Sequence, residues 1–279
     1  MAIGPFLEIT RPVNSLVAGL AAVLGYLIAT GTVTAQALIL LPIVAFITAA
    51  GNVLNDYYDA GIDRVNRPDR PIPSGRVSRE NARIYALVLF LIGNALCLLT
   101  NVLCLIIAVA NSLILVGYAW RLKKVPGSGN LAVAYLTGSI FLFGGAFVGW
   151  EGLVRNFTVF AITLLATLCR ELWKAAEDVE GDRTGGARTI PVRLGVRTTG
   201  WLAFGFAVAA VGVSLLPTGH WSGSVYLGGI LPVDGVILVS SALSLRCDSG
   251  ECVKRNQTTS ILKVAMFAAL VVFTIAAIL

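Results

Sequence analysis

The feature that most constrains this chain is the recurrence of apolar segments about as long as a bilayer is thick. Nine can be read, at roughly 13–30, 37–58, 82–99, 102–119, 131–149, 157–175, 199–216, 223–245 and 259–279. A helix needs about 20 apolar residues to cross the hydrocarbon core, and helices satisfy their own backbone groups there. Charge agrees: soluble domains carry about 25% charged residues, and this chain of 279 residues carries 13%. So little charge cannot cover a water-soluble globule of that size. The expected architecture is an all-α membrane protein, one integral domain over residues 1–279. The first segment follows Glu8 and Arg11 and ends in no small-residue cleavage site, so it reads as a retained span rather than a signal peptide. Segments three and four are separated by little more than Thr100 and Asn101, which predicts a tight antiparallel hairpin.

The cations test this topology independently. With nine spans, the N-terminus and loops 2–3, 4–5, 6–7 and 8–9 share one side. Of the 21 lysines and arginines, only Arg155 falls on the other. The positive-inside rule places the cation-rich face in the cytoplasm of a cell membrane and the C-terminus outside. This asymmetry also accounts for the net charge of +6 without a nucleic-acid partner.

His220 is the only histidine, which excludes histidine-based metal sites and Ser–His–Asp machinery. Cys97, Cys104 and Cys169 sit in apolar runs and read as small hydrophobes. Cys247 and Cys252 lie in the charged stretch RCDSGEC. No partner ligands stand nearby, and neither a metal half-site nor a disulfide is expected there.

The chain repeats itself. Asp63-Arg64 is followed by Arg70-Pro71-Ile72-Pro73, and Asp182-Arg183 by Arg188-Thr189-Ile190-Pro191. The carboxylates Asp59 and Asp63 recur as Asp178 and Asp182 at the same spacing. Four spans separate the copies, so both keep one orientation. Two parallel four-helix units plus one further helix are expected, with motif helices near 52–63 and 171–182.

Both copies carry chemistry. Asn52, Asn55, Asp56, Asp59 and Asp63 step by three and four along one helical face. Glu171, Lys174, Glu177, Asp178 and Asp182 repeat the carboxylate pair. Like charges at i, i+4 repel, so each pair calls for a cation. A solvated helix end balanced by Arg64 and Arg67 would meet that need. Aligned carboxylates at a membrane surface are costly, however, and point to use. Oxygen-only donors suit hard cations, and Mg²⁺ binds one or two carboxylates together with phosphate oxygens and water. A bound diphosphate is therefore the expected missing ligand. Arg67, Arg70, Lys123, Lys124, Lys174 and Arg188 would complement its remaining charge, although positive-inside bias alone can explain any one of them. An allylic diphosphate leaves a delocalised carbocation that must be kept from water and can rest against aromatic faces. Tyr118, Trp120, Tyr135, Phe141, Phe143, Phe147 and Trp173 are candidate walls, with packing as the alternative for each.

Asn55-Asp56-Tyr57-Tyr58-Asp59-Ala60-Gly61-Ile62-Asp63 resembles the NDxxDxxxD signature of the UbiA intramembrane prenyltransferase superfamily. Asp178-Val179-Glu180-Gly181-Asp182 is similar to its second DxxxD motif, with Lys174 four residues upstream. The resemblance covers the whole chain and implies nine helices around a central cavity. It implies that Asn55, Asp59, Asp63, Asp178 and Asp182 hold an isoprenyl diphosphate through Mg²⁺, with Arg67 and Lys174 on the phosphates. A narrower similarity runs through Leu7–Asn14, Asn66–Gly75, Gly129–Leu131 and Phe141–Gly145. It points to the archaeal ether-lipid branch. That branch transfers a geranylgeranyl group from its diphosphate to the hydroxyl of geranylgeranylglyceryl phosphate. Arg11, Asn14, Asn55, Asp56, Arg67, Arg70, Tyr118, Lys123 and Lys174 are then the substrate-binding candidates. Ala175 stands where that branch carries an acidic residue.

Two other functions are compatible with parts of this pattern. One is prenylation of an aromatic acceptor for quinone synthesis. The other is secondary transport, where repeats and many helices are common. Transporter sites lie near the bilayer midplane, whereas these carboxylates cluster at one face. Asp234, two residues after Pro232 in segment eight, either lines a cavity or assists the acceptor hydroxyl, or is protonated and hydrogen-bonds a neighbouring helix.

Overall fold

The computed structural model describes residues 3–216 and 223–279; His220 lies outside the described residues. The helices run α1 Ile3–Thr10, α2 Pro12–Thr30, α3 Leu40–Asn66, α4 Arg79–Cys97, α5 Val102–Trp120 and α6 Ser128–Ala146. There follow α7 Trp150–Arg155, α8 Phe157–Glu177, α9 Val179–Thr184, α10 Ile190–Leu194, α11 Val196–Ser214, α12 Gly223–Leu243, α13 Gly250–Arg255 and α14 Thr258–Ile278. Among the described residues eight helices are long and apolar enough to cross a membrane. The long helix α8, expected as the sixth of nine spans, is not one of the eight. Arg170, Glu171, Lys174 and Glu177 crowd its last two turns, so the motif's own charge lowers the apolar character of the helix that carries it.

Polar residues set the helix ends. Ser78 Oγ accepts the Asn81 N–H at 3.1 Å and opens α4. Asn101 opens α5 by accepting the Cys104 N–H at 3.0 Å. Its Nδ2 also donates to the Ala146 carbonyl at 2.8 Å, which ties the expected tight hairpin to the end of α6.

The chain forms two compact units. The first comprises Met1–Tyr26, Val33–Arg121 and Ile140–Leu153 and contains the first acidic motif. Its core packs α3 against α4 and α5 around Leu40, Ile43, Val53 and Ala50. There α2 and α6 approach closely. A Cβ on Gly144 would meet the Ala22 carbonyl, and it would lie 2.6 Å from the Tyr26 backbone nitrogen. These neighbours are backbone and cannot swing aside. Gly144→Ala is expected to destabilise the protein by about 1–3 kcal/mol. Gly205→Ala, on α11, meets nothing within 4 Å and should cost nothing. Thermal inactivation midpoints in detergent compare the two.

The second unit comprises Leu27–Thr32, Leu122–Ser139 and Val154–Leu279 and contains the second motif. Trp173 is fully buried there; its Nε1–H donates to Ser241 Oγ at 2.6 Å and its ring tip packs on Gly200. Phe143, in the first unit, is buried in its core. Burial of both fits the packing reading. Asp234 is 5% exposed and accepts from Ser214 Oγ at 2.6 Å, while Tyr226 Oη donates to the Ser214 carbonyl at 2.7 Å. Of its readings, Asp234 fulfils the hydrogen-bonding one: it pins α12 to the end of α11. Cys97, Cys104 and Cys169 are free and buried, as expected. Cys247 and Cys252 correct the reading above, because they form a disulfide. The intervening DSGE turn brings the two sulfurs together, with the Cα atoms 5.5 Å apart.

Candidate active site

In the first unit, α3 does not stop near residue 58 but continues unbroken to Asn66. This rigid extension carries Asn55, Asp56, Asp59 and Asp63. Asp56 and Asp63 are 4% and 6% exposed. Buried carboxylates require partners, and two arginines supply them. Arg11 Nη2 lies 2.5 Å from Asp56 Oδ1. Arg70 Nη1 reaches Asp56 Oδ1 at 3.2 Å and Asp63 Oδ2 at 2.7 Å. Arg11 sits between α1 and α2 with φ +50, a left-handed conformation that ends one helix, while Pro12 opens the next. Asn52 supports the same joint, its Nδ2 donating to the Thr10 carbonyl at 3.0 Å.

Asn55 Nδ2 donates to Asp59 Oδ2 at 3.0 Å, which orients that carboxylate. Both residues are half-buried. Arg67 is exposed at the end of α3 and its N–H donates to the Asp63 carbonyl at 2.8 Å. Further out, Arg76 grips Glu8 with two hydrogen bonds of 2.6 and 3.0 Å. The Arg76 bonds hold the Glu8 carboxyl below its usual range. This clamp is therefore complete above the ordinary glutamate pKa and is lost as pH falls through the depressed value. Asn14 is exposed in the first turn of α2, and Tyr118 is half-buried in the last turn of α5.

In the second unit the backbone differs. α8 ends at Glu177, α9 begins at Val179, and Asp178 is the joint, with φ −91 and ψ 5. The Asp182 N–H donates to the Asp178 carbonyl at 3.0 Å, and the Asp182 carbonyl accepts from Ala187 N–H at 2.8 Å. Partial burial pushes the Asp178 carboxyl up; Lys174 opposes that shift, Glu177 and Asp182 add to it, and Lys254 opposes it. Lys174 is thus electrostatically engaged with the motif. Lys123 is half-buried in the single turn Leu122–Lys124.

The structure therefore unites Arg11, Asp56, Arg70 and Asp63, pairs Asn55 with Asp59, and brings Lys174 and Asp182 within electrostatic range of Asp178. Glu180 accepts from the Gly250 N–H and Glu177 from Thr259 Oγ1; of these four residues only Glu177 is part of the motif the spacing picks out. No group of three or more His, Cys, Asp or Glu side chains forms a metal cage among the described residues. Paired carboxylates and an amide oxygen fit Mg²⁺ in its usual mode, in which ligand oxygens and water complete the shell.

These helices define a multi-pass α-helical membrane protein with two acidic segments. Residues 15–271 match the UbiA prenyltransferase family, and the chain belongs to that family. It is 58% identical to the digeranylgeranylglyceryl phosphate synthase of Methanoculleus marisnigri, covering 100% of both chains. It is 52% identical to that of Methanoregula boonei, covering 100% of this chain and 99% of the relative. A solved structure concerning digeranylgeranylglyceryl phosphate synthase in membranes superposes with a TM-score of 0.90 at 34% identity, covering 99% of this chain and 98% of that one. The fold is shared with a UbiA homolog from Archaeoglobus fulgidus bound to GPP and Mg²⁺, with a TM-score of 0.66 at 17% identity, covering 96% and 99% of the two chains.

Proposed function

We propose that this prenyltransferase joins geranylgeranyl diphosphate to geranylgeranylglyceryl phosphate, forming digeranylgeranylglyceryl phosphate for archaeal ether lipids. The observation that carries this reading is end-to-end similarity, at 58% identity, to a relative bearing that activity's name, with both acidic motifs present in this chain. The C1–O bond of the allylic diphosphate breaks, the glyceryl oxygen bonds to C1, and the hydroxyl proton is released. Asn55, Asp59 and Asp63 in the first unit, and Asp178 and Asp182 in the second, would hold Mg²⁺, which when bound would supply positive charge for the leaving diphosphate.

The chain's own groups do the rest. Asn55 fixes the Asp59 carboxylate from one side. Arg70 holds the Asp63 carboxylate close, and it carries donors for phosphate oxygens in a planar fork. Arg67, Lys123 and Lys174 add positive charge for the two phosphate-bearing substrates. Arg11 and Asp56 hold the α1–α2 joint against α3; Asn14 and Tyr118 contact substrate. The surrounding apolar helices keep water from the allylic cation. The whole chain works as one domain in the cell membrane, with the acidic motifs at the cytoplasmic face. The distribution of lysine and arginine supports that orientation.

The test offers detergent-purified protein geranylgeranyl diphosphate with geranylgeranylglyceryl phosphate and aromatic acceptors in competition. Mass spectrometry is expected to find only the diether phosphate, with diphosphate release dependent on Mg²⁺. Product from aromatic acceptors alone would replace the ether-lipid assignment with quinone-type chemistry.

A further inference from the structure

The connection between α12 and α14 is more elaborately built than a loop requires. Cys247 and Cys252 close a small ring, inside which Ser249 Oγ accepts the Cys252 N–H at 3.4 Å and opens α13. Cys247, Val253 and Thr258 are 1%, 0% and 0% exposed. Ser244 Oγ and Thr258 Oγ1 are hydrogen-bonded at 2.5 Å, and Asn256 Nδ2 donates to Ser244 Oγ at 3.0 Å, which closes the base.

This element grips the second acidic segment at two points. The Gly250 N–H donates to Glu180 Oε1 at 3.0 Å. Thr259 Oγ1 donates to Glu177 Oε2 at 2.5 Å. Glu177 precedes Asp178 and Glu180 follows it, so the two bonds bracket the break between α8 and α9. A Cβ on residue 250 would strike Glu180 Oε2 and would lie 2.6 Å from the Glu177 carbonyl. Only glycine lets the element seat this closely.

We infer that residues 247–259 form a brace that orients Asp178 and Asp182 by holding Glu177 and Glu180. Glu180 and Thr259 are positioning residues. A helix of six residues cannot hold its own direction in isolation, so the direction of α9 comes from what it touches. The inference rests on the reading of Asp178 and Asp182 as carboxylates that hold Mg²⁺ and diphosphate. Groups that support metal-holding side chains typically change metal affinity by about 10–100-fold.

The experiment titrates Mg²⁺ against initial rate for full-length Glu180→Ala, Glu180→Gln, Thr259→Val and Asp182→Ala, with thermal midpoints measured alongside. Glu180→Ala is expected to raise the half-maximal Mg²⁺ concentration about tenfold, and Thr259→Val about threefold, with a smaller change in the rate at saturating Mg²⁺. Glu180→Gln keeps an oxygen for the Gly250 amide and should recover most of the affinity. Thr259→Val loses only a hydroxyl and gives the answer if Glu180→Ala does not fold. Wild-type Mg²⁺ titrations for Glu180→Ala and Thr259→Val, with Asp182→Ala inactive, would overturn the brace and leave the site standing. An equal fall in rate at every Mg²⁺ concentration, without rescue by Glu180→Gln, would also overturn it. Wild-type turnover by Asp182→Ala would remove the reading beneath it.

Discussion

Asp182→Ala is expected to lower diphosphate-releasing turnover by about a thousandfold, the scale seen when one preorganised group facing developing charge is removed. Asp59→Ala should do the same. The fold should survive both changes. The hydrogen bonds described for Asp182 that shape its turn are backbone bonds to Asp178 and Ala187, and an alanine retains them. Asp59 is half-buried on a continuous helix, whose backbone ladder is indifferent to the side chain. Mg²⁺-dependent diphosphate release, read beside the thermal midpoint in detergent, separates lost chemistry from lost structure. Turnover at the wild-type rate by either variant would strike its carboxylate from the site.

Asp56→Ala should behave in the opposite way, with stability falling first. Its carboxylate is nearly buried and meets two arginines, one from the α1–α2 joint and one from the segment after α3. Removing one partner of a buried pair leaves uncompensated charge, at a cost of about 3 kcal/mol. Asp63 still engages Arg70 in the variant, so the greater loss falls on Arg11 and the N-terminal joint. A marked drop in the thermal inactivation midpoint is expected, with activity failing as the protein does. Asp56→Asn keeps an acceptor oxygen and should lose less. A midpoint unchanged in Asp56→Ala would show that Arg11 and Arg70 find equivalent partners elsewhere.

Much of this is legible in the sequence. Apolar runs located the long helices because the bilayer leaves so few backbone options. The acidic spacing located two segments, one that the structure places along the end of α3 and one across the break between α8 and α9. What escaped depended on distant partners. Asp56 sits inside the first motif, yet its surroundings are set by Arg11, 45 residues earlier in the chain. The overrun of α3 through Gly61 defied a glycine that weakens helices in isolation, because Asp56, Ala60 and Asp63 have buried places to occupy. The break at Asp178 carries no proline or glycine to announce it. The RCDSGEC stretch offers no local reason to pair its cysteines, and that reason is three-dimensional, since Cys247 and Val253 are packed out of reach of water.

The N-terminal segment is fastened to the first unit at two depths. Arg76 and Glu8 retain 42% and 49% side-chain exposure, whereas Arg11 and Asp56 retain 34% and 6%. Mobile ions reach the outer pair freely and the inner pair poorly. In strong brine the outer fastening dissolves and the inner one endures. Ionic strength is thus a dial that loosens the first helix without releasing the joint behind it.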